Sequence, residues 1–385
     1  MMKKILAAAI VSAFAAPAFA ATANVDIYGQ ANVSVDSVDA DGALNERRSR
    51  VSSNNSHIGF KGAEDLGGGL SAVWQYEFAI LLDQSRVIQN DQGNNDSRGQ
   101  STVRNSFAGL SSKTLGSLTF GTQNSPLRLS TAPLTVYTHT LADHRSVFAK
   151  LSTRADSSIL YTSPSLGGFV AKVMYGARNE AGNGTNPDPR MYALSGVYTN
   201  GPLYATLAYE NNKNTRNAAG IVNTGSFSPT TGLPIVTVTP AVTALSSTVK
   251  AWRAGVGYTF GNTKLGLAYE NNDAENLAGV TTNDGDAWYA SVAHKMGNIT
   301  LNGAYTKRSD YLSTSNDGAD QMTVGVDYNL SKRTMVYALY TQVDNEGNAL
   351  TGGTNNIGQS SGIATVSTVA GGDASGFSLG MSHKF

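Results

Sequence analysis

Few residues in this chain of 385 could carry out covalent chemistry. It has no cysteine and only five histidines, which excludes thiolate metal sites and cysteine nucleophiles. Asp143 and His144 form its only close acid–histidine pair. A hydrolase holds a nucleophile, a base and an orienting acid together, and no serine-containing elbow accompanies this pair. We therefore predict that the protein is not an enzyme and binds no metal or other cofactor.

The charged residues argue against several binding functions. The chain has 28 Lys and Arg residues against 28 Asp and Glu residues, and together they make up 15 per cent of it. The usual share is about 25 per cent. A polybasic nucleic-acid binder and a charge-driven disordered chain are both excluded. We expect no nucleic-acid partner.

The N-terminus has the pattern of a secretory signal. Lys3 and Lys4 precede an apolar stretch, and Ala18-Phe19-Ala20 provides a cleavage site with small residues. The apolar stretch is too short for a membrane-spanning anchor. We predict that residues 1–20 are a cleaved signal peptide and that residues 21–385 form a single domain.

Beyond the signal, apolar and polar residues alternate with a period of two. In the segment 299–306, for example, Ile, Leu, Gly and Tyr alternate with Thr, Asn, Ala and Thr, and the segments 70–79 and 203–210 have the same character. Successive side chains of a strand point to opposite faces, so each segment is a strand with one apolar face. These strands have about 10 residues, whereas strands of soluble domains usually have ~5–6.

The connections between strands fall into two classes. Seven are short and lie near 64–69, 112–116, 163–168, 200–202, 261–262, 296–298 and 330–332. Eight are long and polar and lie near 38–48, 82–102, 124–153, 178–190, 213–248, 273–286, 308–319 and 345–372. Because the two classes alternate strictly, they join sixteen strands. Short turns at one rim and long loops at the other are typical of an outer-membrane barrel.

We therefore predict an all-β fold, a sixteen-stranded antiparallel transmembrane β-barrel surrounded by outer-membrane lipid. Its short turns and both termini are expected on the periplasmic side, and its long loops outside the cell. The apolar sets expected to face lipid are Ile58/Phe60, Leu118/Phe120, Leu265/Leu267/Tyr269 and Val324/Val326/Tyr328. Side chains cannot fill the interior of a barrel of this size, so the lumen is expected to hold water.

Four segments resemble hallmarks of Gram-negative general diffusion porins of the β-proteobacterial type. They are 59–70 (GFKGAEDLGGGL), 198–203 (YTNGPL), 328–334 (YNLSKRT) and 27–29 (IYG), and a terminal Phe385 completes the pattern. The resemblance covers the whole mature chain. It implies a homotrimer for passive passage of ions and small hydrophilic solutes, with one loop folded inward to narrow the pore. It also implies that Phe385 is a signal for the outer-membrane assembly machinery.

The resemblance and the alternation together suggest the pore residues. The inward constriction loop is expected at 124–153, carrying Arg128, Asp143 and Arg145. The lumen face is expected to hold the basic residues His57, Lys61, Arg104, Lys172, Arg253, Lys264 and Lys295 and the acidic residues Asp26, Glu77, Glu210, Glu270 and Asp327. Arg104 and Arg154 are the expected wall arginines, facing Asp143 across the constriction. Charges placed in a narrow aqueous pore filter ions strongly.

The chain also departs from the family pattern. His57, Thr122 and Leu160 stand where the family often has basic residues, and the loop supplies one carboxylate, Asp143, against several basic groups. We therefore expect weak selectivity with a slight preference for anions. The small residues Gly29, Ala31, Gly376 and Gly380 are expected at the subunit contact of the trimer.

Two other functions remain open from the sequence. A substrate-specific channel would use aromatic residues along the pore, and the loop offers only Tyr137 and Phe148. A structural barrel or adhesin would rest on the long polar loops 213–248 and 345–372, whose composition is also that of ordinary hydrated loops.

Overall fold

The structure is a computed structural model of the chain. It describes residues 24–41, 48–83, 88–89, 95–96, 103–148, 151–177, 190–218, 221–227, 234–238, 242–275, 281–310, 316–347 and 371–385. The predicted signal peptide, 1–20, lies outside the described residues. Within the described ranges, no helix is both long enough and apolar enough to cross a membrane.

Sixteen antiparallel strands form one closed barrel, as predicted. In chain order they are β1 (Asn24–Ala40), β2 (Arg48–Ser53 and His57–Gly67), β3 (Leu70–Ala79), β4 (Ser106–Ser112), β5 (Gly116–Asn124), β6 (Arg154–Thr162), β7 (Phe169–Ala177), β8 (Arg190–Asn200), β9 (Leu203–Ala218), β10 (Val242–Phe260), β11 (Thr263–Glu275), β12 (Thr281–Met296), β13 (Ile299–Arg308), β14 (Ala319–Asn329), β15 (Thr334–Asn345) and β16 (Ala374–Lys384). Each strand pairs with the next one along the chain.

Strand β2 is interrupted by a bulge. Val33 of β1 pairs with Ser53, whereas Gln30 pairs with His57, so one extra residue is inserted in β2 between the two pairs. Asn55, in the inserted segment, has φ of 62°, in the left-handed region that asparagine tolerates. The bulge changes the direction of the Asn55 side chain, which contacts an arginine described below.

The first and last strands close the barrel. β1 and β16 pair from Gln30 with Lys384 to Ala40 with Ala374. The backbone of Gly29 exchanges two hydrogen bonds with that of Phe385, of 3.1 and 3.2 Å. The expected pairing of the two terminal strands is confirmed. Closure is required in a membrane because backbone groups at an open sheet edge would lie unpaired in hydrocarbon.

The alternation of each strand separates an outer and an inner face. The predicted lipid-facing residues of β5, β11 and β14 lie on the outer wall, where Phe120, Leu267 and Val324 are exposed. Between them, Gly266 and Ala268 face inward and contact or pack with Leu134 of the loop. In β2, Gly59 packs on Tyr28 inside the barrel, so Ile58 and Phe60 point outward.

Two expectations about the strands were wrong. The segment 213–248 is not all loop, because β9 continues to Ala218 and β10 starts at Val242, with the short paired strands Ile221–Phe227 and Pro234–Val238 between them. Gly376 and Gly380 do not lie on the outer wall. Their positions alternate with the outward Phe377 and Leu379, and a Cβ at Gly380 would lie 2.1 Å from the inward Tyr337 ring.

Candidate functional site

The loop between β5 and β6 folds into the barrel. It begins with a short helix α1 (Pro126–Ser130), in which Pro126 occupies the first turn and the Ser125 hydroxyl accepts a hydrogen bond of 3.1 Å from the Arg128 backbone N–H. Single 3₁₀ turns follow at Ala132–Leu134 and His144–Ser146. These turns shorten the loop, so its described residues pack along the inner wall.

One wall arginine holds both ends of this loop. The Arg253 guanidinium donates to the carbonyl oxygen of Leu127 at 2.9 Å and to that of Leu151 at 3.0 Å. It also forms an ion pair with Glu270 on the next strand. Both side chains are almost completely buried, at 1 and 0 per cent exposure. Arg253 and Glu270 were predicted on the lumen face, but their role as a loop anchor was not.

Other wall residues hold the middle of the loop. The Tyr289 hydroxyl accepts a hydrogen bond of 3.0 Å from the Val136 backbone N–H, and the Ser291 hydroxyl donates to the Leu134 carbonyl at 2.6 Å. Arg308 donates to the Val147 carbonyl at 3.0 Å. The sequence contains no signal for these contacts, because each joins residues more than 150 positions apart.

Leu134 packs against three glycines of β10 and β11 that face the inside of the barrel. A Cβ at Gly255 would be 2.5 Å from Leu134, one at Gly257 would be 2.6 Å from it, and one at Gly266 would be 2.7 Å from the Leu134 carbonyl oxygen. Real Cβ atoms essentially never approach so closely. The absence of side chains at these three positions therefore allows the loop to approach the wall.

Four guanidinium groups gather beside the loop, from Arg104, Arg128, Arg145 and Arg154. Burial, followed by the charges of Arg145, Arg154 and Arg104, lowers the pKa of Arg128 to about 9, so it stays protonated at neutral pH. Arg128 donates to the Ser152 carbonyl at 2.8 Å. Arg154 donates to the Asn124 side-chain oxygen at 3.1 Å. We call these four residues the arginine cluster.

Two carboxylates balance part of this charge. Arg104 forms a buried ion pair with Glu77 and also donates to the Asn55 side-chain oxygen. Arg145 forms an ion pair with Asp143 inside the loop. Arg128 and Arg154 form no ion pair with any residue that the structure describes. The arginine cluster therefore carries two positive charges that no described carboxylate holds in an ion pair.

The expected position of Asp143 is corrected by this geometry. Its side chain has no exposed surface, and it does not face Arg104 and Arg154 across open water. It accepts hydrogen bonds from the backbone N–H groups of His139 at 2.7 Å and Arg145 at 3.0 Å, so it closes the loop on itself. Burial alone would raise the pKa of Asp143, but the adjacent Arg145 outweighs burial and holds that pKa far below its ordinary value.

Two histidines of the loop are uncharged at neutral pH. Burial, helped by the Arg145 charge, lowers the pKa of His139 to about 3. Burial also lowers the pKa of His144 to about 4, although Asp143 partly opposes that change. The His144 ring packs against Tyr289 and Phe148, with ring centroids 5.1 and 6.0 Å away.

The remaining predicted pore residues lie apart from the arginine cluster. His57 Nδ1 lies 2.9 Å from the Asn55 carbonyl oxygen, and its ring meets the edge of the Tyr28 ring. The Lys61 ammonium lies 5.3 Å from the centroid of the same ring. Tyr28 in turn donates a hydrogen bond of 3.0 Å to Glu77. Lys61 is therefore connected to the cluster through Tyr28 and Glu77, and His57 is connected to it through these residues and through Asn55, which accepts a hydrogen bond from Arg104.

Comparison with known proteins places this geometry among outer-membrane channels. A family model described as Gram-negative porin matches residues 7–348. The chain is 28% identical over 348 residues to the major outer membrane protein P.IB of Neisseria gonorrhoeae, covering 86% of this chain and 91% of that one. It is 27% identical over 372 residues to an outer membrane porin protein of Bordetella pertussis, covering 88% and 93%.

Two solved structures share the fold. An anion-selective porin from Comamonas acidovorans superposes with a TM-score of 0.73 at 22% identity, covering 94% of this chain and 100% of that one. The trimer form of OmpT from Vibrio cholerae superposes with a TM-score of 0.63 at 17% identity, covering 94% and 99%.

Proposed function

Because this chain belongs to the Gram-negative porin family and forms an outer-membrane channel for passive diffusion of ions and small hydrophilic solutes, we propose that its constriction gives the channel a weak preference for anions. The observation that carries the proposal is the pair Arg128 and Arg154, neither of which forms an ion pair with a described carboxylate. At an effective dielectric constant of ~20–80, a unit charge about 4 Å away interacts with an ion by about 1–4 kcal/mol. That range biases the passage of ions without trapping them.

A planar-bilayer measurement tests this preference. The purified protein is inserted under a salt gradient of potassium chloride, and the reversal potential is recorded. We expect a sign that corresponds to a modest chloride preference. The Comamonas protein is described as an anion-selective porin, so it provides a reference channel. A reversal potential of zero, or one of the opposite sign, would contradict the proposal.

We propose that the channel assembles as a homotrimer. The Vibrio protein with the same fold is described in a trimer form. The outer wall around β1, β15 and β16 has a shallow apolar groove of about 540 Å³, lined in part by Val33, Val35, Val336, Leu379 and Met381. Gly29 and Ala31 lie at outward positions of β1 near it. Native mass measurement in mild detergent is expected to give three chains, and a stable monomer would contradict this.

We also propose that residues 1–20 are removed on export, that residues 21–385 form one domain and that Phe385 is a signal for outer-membrane assembly. The Phe385 ring covers Gly29, where a Cβ would lie 2.5 Å from it. N-terminal sequencing of the mature protein tests the cleavage. Substituting Phe385→Ala is expected to lower the amount inserted in the outer membrane, and unchanged insertion would contradict the role.

The pore roles of Arg104, Arg154, His57, Lys61, Arg128, Arg145 and Asp143 remain proposals of the same kind. Our interpretation is that Arg104, Arg128, Arg145 and Arg154 act on passing ions and that Asp143 acts by shaping the loop. We further propose that the protein catalyses no hydrolysis, because Asp143, which lies near both His139 and His144, is buried with Arg145 on its carboxylate. Hydrolysis of peptide or phospholipid substrates by the purified trimer would overturn that proposal.

A further inference from the structure

A second polar site lies inside the barrel, apart from the arginine cluster. It is a cavity of about 280 Å³ between the middle of the loop, at Val136 and Tyr137, and the wall residues Lys264, Asn302 and Asp327. Lys264 follows the short turn 261–262, and Asp327 precedes the short turn at 330–333. The cavity therefore lies on the side of the loop that faces the short turns, which is the periplasmic side. No member of the arginine cluster lines it.

The Asp327 carboxylate is only partly satisfied, by the Asn302 amide and by the neighbouring Tyr137 hydroxyl. Its Oδ2 atom accepts a hydrogen bond of 2.8 Å from the Asn302 side-chain amide, which also donates to the Tyr137 hydroxyl at 3.2 Å. Its Oδ1 atom is buried and has no hydrogen-bond partner. A buried charge without a partner is costly, so such an atom is a candidate contact for a bound cationic group.

The cavity also has a cation that lacks a partner. Among the residues that the structure describes, neither Lys264 nor Asp327 takes part in an ion pair. Lys264 is on β11 and Asp327 on β14, and Lys264 lies in a row of paired residues that runs through Ala293 to Asn302. This row meets β14 at Gly325, so three strand spacings and a two-residue offset place the main chains of Lys264 and Asp327 about 16 Å apart along the wall. The two opposite charges thus line one cavity from separate sides.

We propose that this cavity is a subsite for zwitterionic solutes of the α-amino acid class. The solute carboxylate would bind the Lys264 ammonium, and the solute ammonium would bind the Asp327 carboxylate. An apolar side chain would pack against Leu134 and Val136, which also line the cavity. The proposal rests on the proposed function, because a solute reaches this site only through an open pore.

The arrangement discriminates between kinds of charge. A solute that carries only a carboxylate would meet Asp327 without a compensating contact, and one that carries only an ammonium group would meet Lys264. A zwitterion satisfies both groups. It should therefore bind more tightly than either singly charged analogue, because it gains one contact and avoids one unfavourable contact. Hydrogen bonds to charged groups are stronger than those between neutral groups, so the loss of one contact should weaken binding about tenfold or more.

The test uses the purified full-length channel in a planar bilayer at neutral pH. The probe is L-valine, with isovalerate and isobutylamine as the analogues that lack the ammonium group or the carboxylate. We expect L-valine to reduce the ion current saturably and each analogue to need about tenfold higher concentration for the same effect. The variants Asp327→Asn and Lys264→Gln should each raise the half-effective concentration of L-valine about tenfold.

The control is Lys172→Gln, which removes a lumen lysine of β7 that neither lines the cavity nor lies in its rows of paired residues, and it should respond to L-valine like the original protein. The current of each variant without solute shows that it has assembled. Equal effects of the three solutes, or an unchanged L-valine response in both cavity variants, would overturn the proposal while leaving the channel function intact. A protein that carries no current at all would instead contradict the proposed function.

Discussion

The Arg253 guanidinium on β10 forms an ion pair with Glu270 on β11, and the two residues are direct partners in the register of the sheet. The same guanidinium binds carbonyl groups of Leu127 and Leu151, which lie near the two ends of the constriction loop. A single buried pair thus connects the wall to both ends of the loop. The width of the pore should depend on it.

Replacing Arg253→Met is therefore expected to release the loop. Removing one partner of a buried ion pair costs about 3–5 kcal/mol, because the other charge is left buried without compensation. Single-channel recording should show larger and noisier currents than in the original protein. The control Glu275→Gln breaks the Lys250–Glu275 pair, which is 30 and 33 per cent exposed, and should change little. Identical currents in the two variants would contradict the anchoring role.

The substitution Gly266→Ala tests the contact of the loop with the wall. Its Cβ would lie 2.7 Å from the backbone oxygen of Leu134, which cannot move without moving the loop. We expect a larger conductance and faster proteolysis within the loop. Gly303→Ala is the matched control, because the nearest atom to its Cβ would be 3.4 Å away, on the Val292 side chain. If Gly266→Ala conducts like Gly303→Ala, the close approach of the loop does not limit the pore.

The sequence predicts the barrel well because the alternation of apolar and polar residues within each strand shows which side chains face lipid and which face the lumen. Alternation at 265–269 and 324–328 is a local property, and so is the presence of a tight turn. The bulge at Asn55 was missed, because one extra residue in a strand leaves the pattern on either side intact. The pattern places all of 213–248 in a loop, whereas β9 and β10 extend into this segment. The part of a strand that lies beyond the membrane needs no apolar face, so it lacks the alternation that identifies a strand.

The site was less predictable for a physical reason. Lumen positions such as Arg253, Glu270 and Glu77 follow from alternation, but their partners depend on the path of the loop. That path is set by hydrogen bonds to backbone atoms, which no residue type identifies. Asp143 was expected in the pore because it is the carboxylate of the loop, whereas the fold uses it to hold Arg145 and two backbone N–H groups.

The buried loop histidines predict a dependence on pH. The pKa values of His144 and His139, about 4 and about 3, are lower than the ordinary value near 6.5. A released loop would therefore bind protons between pH 6.5 and 4 that the docked loop does not. The docked loop should lose up to about 1.4 kcal/mol per pH unit for each histidine as the pH falls through this window, and nothing above it.

Current noise recorded from pH 8 to pH 4 checks this dependence. We expect noise to rise below about pH 6.5 in the original protein. His144→Phe keeps an aromatic ring beside Phe148 and Tyr289 but cannot bind a proton, so it should show a smaller rise. His294→Asn, which lies on the wall at Thr263, should behave like the original protein. A pH-independent noise level in the original protein would contradict the prediction.

The charge balance of the arginine cluster leads to a prediction about selectivity. Arg128→Gln combined with Arg154→Gln removes the two charges of the cluster that are in no ion pair with a described carboxylate, so the reversal potential should move toward cations. Arg104→Gln combined with Glu77→Gln removes a pair whose charges cancel, and the reversal potential should change little. The difference between the two double variants should shrink from 0.1 M to 1 M salt, because the screening length falls from about 10 Å to about 3 Å. Equal shifts in both double variants would show that ions respond to the number of arginines in the cluster and not to its net charge.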